Sequence, residues 1–483
     1  MTIDLLLINP GGRETIYQGL GESLTAVEPP LWCRLIAGYC IDKGWSVEIL
    51  DAEAEGLSPK QVADRVHDKC PRLVGMVVFG HQPSASTQQM EAASEACWAI
   101  KDLESQFKIV IVGGHVSALP LRTMMQEPVD YVVDGEGPVT IDGLLRGEPL
   151  ASIPGLVWKK DWNDIRQNPP APLLDVNDLH GDAWHLLPMD KYRAHNWQVF
   201  DGSPRQPYAA IYTSLGCPFK CSFCCINAPF HANRYRMRSP DAVVAEINLL
   251  YMNYGVRTFK IIDEMFVLND RHVTAICEGL AAKPYASELN IWAYARVDTV
   301  KAGMLPLLRK AGIRWLALGI ESGSAHVRDG ADKALDERDI TIAVRAIQEA
   351  GINVIGNFIF GLPDDTYASM CATLELAREL RCEFVNFYAA MPYPGSRLFD
   401  ETPADALPDS WAGYSQHGYT TKPLPTAMLT AAQVLKFRDN AFREYFSDLL
   451  YLRSVERKFG PETRRHVEAM AAHRLPRKLL EAA

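Results

Sequence analysis

The chain of 483 residues contains no apolar run that reaches the roughly 18 residues a membrane-spanning helix needs. Its start, Met1-Thr2-Ile3-Asp4, has no basic stretch ahead of an apolar one, so no secretory leader is expected. Positive charge is not in excess. Lys and Arg number 49 against 59 Asp and Glu, a net charge of −10, which speaks against a nucleic-acid partner. No G-x-G-x-x-G follows the first apolar strand, so a bound dinucleotide is not expected. Eleven cysteines without a leader point to a reducing cytoplasm rather than to disulfides. Eight of them (Cys33, Cys40, Cys70, Cys97, Cys225, Cys277, Cys371, Cys382) lie mostly in helix-like or apolar runs and read as free thiols. What is present is a composition about half hydrophobic and a fifth charged, over a length too great for one ordinary core. A globular enzyme of two or three domains is expected.

The other three cysteines stand together in Ser214-Leu215-Gly216-Cys217-Pro218-Phe219-Lys220-Cys221-Ser222-Phe223-Cys224, a C-x3-C-x2-C triplet behind a strand-like run, Ala209 to Thr213. Three thiolates on one short loop make no disulfide framework. They suit three irons of a cubane cluster and leave the fourth iron without a protein ligand. The bland alternative is zinc, which usually takes four ligands as two separated pairs. Cys225 is adjacent to Cys224, and neighbouring cysteines rarely reach one tetrahedral ion together. No second C-x2-C or H-x3-H follows. The triplet, with an aromatic residue just before its third cysteine, resembles the signature of the radical S-adenosylmethionine (radical SAM) enzymes. The resemblance implies that Cys217, Cys221 and Cys224 hold a [4Fe–4S] cluster. It also implies that SAM chelates the open iron and is cleaved to a 5′-deoxyadenosyl radical.

Residues 1–145 alternate strand and helix signals. Asp4–Asn9, Ser46–Asp51, Leu73–Gly80, Ile109–Val112 and Asp130–Val133 read as strands; Leu31–Asp42, Ser58–Cys70 and Gln88–Leu103 read as helices. Uninterrupted apolar strands separated by helices predict a doubly wound parallel sheet, Rossmann- or flavodoxin-like. Ligands bind such sheets beyond the carboxyl ends of the strands. Gly11-Gly12, Gly80-His81-Gln82-Pro83-Ser84, Gly113-Gly114-His115 and Gly135-Glu136-Gly137 fall at those ends. Taken alone these are ordinary turn residues. Ahead of a radical SAM core, they resemble the cobalamin-binding domain of the B12-dependent branch of that family. That implies Gly11, Gly12, His81, Gln82, Ser84, Gly113, Gly114, Gly135 and Glu136 as cobalamin contacts. The D-x-H-x-x-G motif that supplies a cobalt ligand in other B12 proteins is absent, and Asn9-Pro10-Gly11-Gly12-Arg13-Glu14 stands in its place. His81 or Gln82 is a candidate near the lower cobalt face, with a loop-end bond to backbone as the alternative.

Residues 146–204 change character: a hairpin-like Gly155–Asp161, a proline-rich run at 167–172, and a connector at 184–192 whose aromatics suit packing between domains. From 205 to 400, strand then helix recurs six times, which predicts a partial (β/α)6 barrel with its site at the carboxyl ends of the strands. The family resemblance places SAM against Phe223, Asp263, Glu264, Arg296, Glu321 and Ser322. A carboxylate (Glu264, with Asp263) suits the amino group of SAM, although a solvated acidic turn is the plain reading. Arg296 suits the SAM carboxylate or a partner such as Asp298. Glu321 and Ser322, in Gly319-Ile320-Glu321-Ser322-Gly323-Ser324, suit ribose hydroxyls.

Residues 401–483 read as a small, mostly helical cap over the barrel mouth. Tyr388, Tyr393, His417 and Tyr419 are candidate substrate contacts, with local packing as the default. The implied reaction is C-methylation of an unactivated sp3 carbon, using methylcobalamin, a [4Fe–4S] cluster and two SAM per turnover. The alternatives are ring closure or rearrangement on the same cofactors, and, outside catalysis, an iron–sulfur relay or sensor. The expected partners are a small-molecule substrate and an external electron donor such as flavodoxin or ferredoxin, with no nucleic acid and no membrane span.

Overall fold

In the computed structural model, residues 3–80, 83–161, 164–333 and 335–481 are described. The first sheet is built from β1 (Leu5–Asn9), β2 (Val47–Asp51), β3 (Leu73–Val78), β4 (Ile109–Gly113), β5 (Tyr131–Val133), β6 (Leu156–Asp161) and β7 (Asp164–Gln167). Its order is β2-β1-β3-β4-β5-β6-β7. The first five strands are parallel, while β6 and β7 add antiparallel. The hairpin expected beyond residue 145 therefore extends this sheet, with Tyr131 opposite Trp158. Helices cover both faces, which is why β3 and β4 are without polar side chains and β1 is apolar up to Asn9. Leu5 and Leu7 share a core with the helix Leu31–Asp42. Leu6 and Ile8 point the other way, into a core with Val62, Val66, Met90 and Cys97. Ser58 and Gln61 form a capping box that starts the helix Pro59–Lys69.

The second sheet opens with β8 (Tyr208–Ile211). A short antiparallel pair, β9 (Ser214–Leu215) and β10 (Arg236–Met237), brackets the cysteine loop. Then come β11 (Thr258–Ile261), β12 (Asn290–Ala295), β13 (Ile313–Glu321), β14 (Asn353–Phe360) and β15 (Phe384–Ala389). The order is β15-β14-β13-β12-β11-β8 with every pair parallel, the predicted open six-stranded barrel. Trp197, beyond the connector, packs edge-on against Trp292 and Trp315 of its strands at 5.3 Å from each. The helices Ala431–Phe446, Leu449–Phe459 and Pro461–Ala472 follow. No helix among the described residues is long and apolar enough to cross a membrane.

One knot fixes the two sheets to each other. Arg34, on the helix Leu31–Asp42, is fully buried. It lies 3.5 Å over the Trp184 ring, bonds to the Ala210 carbonyl (2.9 Å) and pairs with Glu246 (3.2 Å) on the first barrel helix. Glu246 also accepts from Trp184 Nε1 (2.8 Å) and pairs with Arg238. A buried cation needs this degree of pairing.

Candidate functional site

The cysteine loop is held at both ends. Gly216 has φ +83°, and a Cβ there would come within 2.2 Å of the Arg234 carbonyl oxygen, so only glycine lets β9 pass β10 this closely. The Asn227 side chain clamps the Cys217 peptide, accepting from its N–H (3.2 Å) and donating to its carbonyl (2.9 Å). Cys217, Cys221 and Cys224 are free thiols lining one cavity of about 330 Å³. Burial pushes Cys217 up to about 11 and Cys221 and Cys224 above the usual thiol range. A bound metal would supply the positive charge that lets such raised thiols ionise. Cys225 also reaches this cavity but packs with Met391, Tyr393 and Tyr414.

Across the cavity stands Glu264. Its Oε2 is buried with no hydrogen-bond partner, and burial raises the carboxyl to about 8. A carboxyl with one orphaned buried oxygen, lining the same cavity as the three thiols, fits an amino group arriving at the open iron. Arg296 faces the same cavity, its guanidinium 3.9 Å over the Phe219 ring and paired with Asp298 through two contacts of 2.9 Å. Glu321 sits at φ +67°, where the β13–β14 register slips, and this turns its carboxylate inward to pair with Lys333. Lys333 is a lining residue that the sequence reading missed. A Cβ on Gly319 would fall 2.3 Å from its Nζ, so glycine clears the space for it. Phe223 lines the cavity too, packed against buried Val327, Ile359 and Leu362.

Two of the expected SAM contacts do not line the cavity and are bonded to the protein itself. Asp263 is buried beneath the loop, where it accepts from the Thr213 N–H (2.6 Å), the Thr213 hydroxyl (2.5 Å) and the Ser214 hydroxyl (2.6 Å). It staples the end of β8 to the end of β11 and does not line the cavity. Ser322 is fully buried, bonded to Thr373 Oγ1 (3.1 Å) and accepting from the Ser324 N–H (3.1 Å).

The first sheet meets this cavity through Gly80, Ser84 and Gly114, beside Trp32 stacked on Phe79 with centroids 4.2 Å apart. Glycine and a flat aromatic floor at strand ends fit a large planar ring. The other expected cobalamin contacts among the described residues do not line this cavity. A Cβ on Gly113 would lie 1.9 Å from the Val78 carbonyl oxygen, so this residue permits the close β3–β4 approach. Gly11 and Gly12 line neither this cavity nor the larger one described next. The Gly135 N–H is taken by Ser117 Oγ (3.0 Å). Glu136 pairs with Arg236 on β10 at 2.5 Å, and nearby Asp134 meets His231 at 2.8 Å. That loop is thus a strap holding the cysteine loop to the first sheet. His81 and Gln82 lie outside the described residues.

A larger cavity of about 800 Å³ adjoins the first. The two share Gly80, Ser84, Tyr294, Asn357, Tyr388 and Gln416. Tyr388 is therefore placed between them. Tyr393 lines only the cysteine cavity, its hydroxyl donating to the Tyr414 carbonyl (3.1 Å). His417 lines the larger cavity, with Nδ1 3.3 Å from Arg438, and burial lowers its pKa. Tyr419 is exposed, bonded to Glu481 (2.8 Å), and lines neither. Sequence reasoning missed Asn9, Arg13, Tyr17 and Glu53, which reach the larger cavity from the first 55 residues. No local signal marks them, because many of the residues they share the cavity with are hundreds of positions away.

Comparison with known proteins agrees with this geometry. The family described as B12 binding domain matches residues 17–145, and the Radical SAM superfamily matches residues 211–377. An uncharacterized methyltransferase of Pyrococcus horikoshii is 30% identical over 451 residues, 92% of this chain and 92% of its own. An anaerobic magnesium-protoporphyrin IX monomethyl ester cyclase of Cereibacter sphaeroides is 25% identical, over 89% of this chain and 69% of its own. Among solved structures, the radical SAM methyltransferase TsrM from Kitasatospora setae, with cobalamin and a [4Fe–4S] cluster bound, superposes with a TM-score of 0.69 at 18% identity. That match covers 97% of this chain and 100% of the other. The cobalamin-dependent radical enzyme OxsB superposes with a TM-score of 0.69 at 15% identity, covering 97% of this chain and 70% of its own.

Proposed function

The chain belongs to the cobalamin-binding branch of the radical SAM family, and on that premise we propose that it is a methyltransferase acting on a carbon of a small molecule held in the larger cavity. The cofactors are a [4Fe–4S] cluster, SAM and cobalamin. When bound, they supply hydrogen abstraction from an unactivated carbon and a transferable methyl group. The single observation that carries the reading is the shared wall of the two cavities. Tyr294, Asn357 and Tyr388 face both, and Gly80 and Ser84 bring the first sheet to the same place. A molecule in the larger cavity can therefore face the cysteine loop and the first sheet at once.

The protein's part is orientation and exclusion of water. Cys217, Cys221 and Cys224 would hold the cluster. Glu264 would accept from the amino group of SAM, and Arg296 and the Glu321–Lys333 pair offer charge and hydrogen bonds to the rest of it. Trp32 and Phe79 would floor the corrin. The Asn386 amide donates to Asn357 Oδ1 (2.9 Å) and Asn357 donates to the Leu318 carbonyl (3.2 Å), which fixes the Asn357 head beside Tyr388. An external one-electron donor of the flavodoxin or ferredoxin kind completes the system.

The relative with 30% identity over nearly all of both chains favours methyl transfer over ring closure. Methyl-labelled SAM given to the anaerobically loaded enzyme, with the small-molecule extract of its host cells, separates the two. Label in a new product, together with S-adenosylhomocysteine and 5′-deoxyadenosine, is expected. Formation of 5′-deoxyadenosine with an unlabelled product would overturn methyl transfer and favour the cyclase-like reading.

A further inference from the structure

The outer wall of the larger cavity carries one stripe of the helix Ala431–Phe446. Gln433, Lys436, Asn440 and Arg443 follow a spacing of three, four and three, which places them on one face. The opposite face, with Val434, Leu435, Ala441 and Tyr445, is buried. The acceptor atoms of the stripe are already engaged. Gln433 Oε1 accepts from the Thr430 N–H (2.9 Å) in the capping box, and Asn440 Oδ1 accepts from Arg443. Each amide then has only its NH2 left to offer, beside the Lys436 ammonium and the remaining Arg443 donors along the cavity wall. Arg474 adds a further cation, its Nη1 closing the end of the helix Pro461–Ala472 on the Ala471 carbonyl (3.0 Å).

The carboxylates that line the same cavity do not neutralise this wall. Glu28 pairs with Lys260, Glu53 with Arg13 at 3.1 Å, and Asp439 with Arg438 at 2.7 Å and Arg477 at 3.0 Å. Among the described residues, Lys436, Arg443 and Arg474 form no ion pair with a carboxylate. A wall of donors with unneutralised positive charge, on a chain of net charge −10, selects an acceptor-rich anion. A single carboxylate offers one charge and about four lone-pair sites, fewer than the donors present. A phosphoryl group brings a charge of about −1.5 to −2 and three strong acceptor oxygens.

We propose that the mouth of the larger cavity is a phosphoryl-binding site and that the substrate is a phosphorylated small molecule, its organic part reaching inward to Tyr388 and Asn357. The substrate assignment rests on the larger cavity being the substrate cavity, as read above; the binding test does not depend on turnover.

Inorganic pyrophosphate and tricarballylate are titrated calorimetrically into the cluster- and cobalamin-loaded enzyme, and into its Lys436→Gln and Arg443→Gln variants. Pyrophosphate is expected to bind in preference to the tricarboxylate and to weaken as salt rises. Each variant should lose about tenfold or more in affinity, the effect of removing a hydrogen bond to a charged group, while cluster absorbance and corrinoid content stay as in the parent. Equal binding of the tricarboxylate would overturn the phosphoryl assignment. Unchanged pyrophosphate affinity in both variants would overturn the site. Binding as expected with no methyl transfer to any product would leave this site standing and reject the proposed reaction.

Discussion

Replacing Glu264 by Gln tests the chemistry of the cysteine cavity directly. The parent carboxyl has one buried oxygen without a partner and is held at about 8 by burial. Glutamine keeps the shape but cannot accept as an anion. A hydrogen bond to a charged group contributes about 1.5–3 kcal/mol, so SAM should bind the variant roughly ten- to a hundredfold more weakly. A second signature comes from the sign of the shift. At pH 7 the parent carboxyl is mostly protonated and must lose its proton to accept from the amino group. At pH 9 it is already ionised. With the value near 8, SAM affinity should improve about tenfold from pH 7 to pH 9 through this group alone. The ligand's own titration is common to both proteins, so the difference between parent and Glu264→Gln isolates it. Equilibrium dialysis of labelled SAM against the cluster-loaded proteins gives both numbers. Equal affinities, or the same pH slope in parent and variant, would refute the assignment of Glu264 to the amino group.

Arg34→Met should lower stability by about 3 kcal/mol, near the low end for breaking a buried ion pair, because Glu246 keeps Arg238 and Trp184. A denaturation midpoint unmoved within about 1 kcal/mol would show that the knot is not what joins the two sheets. The His231–Asp134 contact should make the strap pH-dependent. Its carboxylate partner raises the folded pKa of His231, so the contribution is fully present below the unfolded value near 6.5 and is lost as pH rises through the folded value. With the imidazole partly exposed, the effect is at most about 1 kcal/mol. His231→Gln should flatten that part of the thermal-stability profile between pH 6 and 9, and an unchanged profile would count against the strap.

Much of the architecture was legible because its signals are local. Uninterrupted apolar strands separated by amphipathic helices announce parallel sheets; the first has helices on both faces, and the second curls into the open barrel. The cysteine triplet was legible because ligand spacing is a property of one short loop. The place of Glu264 in the cysteine cavity followed from a carboxylate just after a buried strand. Asp263 and Glu136 looked equivalent to it in sequence, as polar residues at strand ends. One is consumed by the Thr213 and Ser214 donors and the other by Arg236, and neither partner is foreseeable from spacing. Ser322 likewise turned inward to Thr373, fifty-one positions later.

The order of strands and helices, the thiol triplet and the single acidic turn were set by the amino-acid sequence alone, since each depends on residues within one or two turns of the chain. The larger cavity was decided only by tertiary structure. Tyr17 meets His417 across it with ring centroids 6.0 Å apart, and Gln18 reaches the carbonyl of the same histidine at 2.6 Å. Contacts between residues 399 and 400 positions apart arise when whole elements pack, and periodicity along the chain carries no record of which surfaces meet.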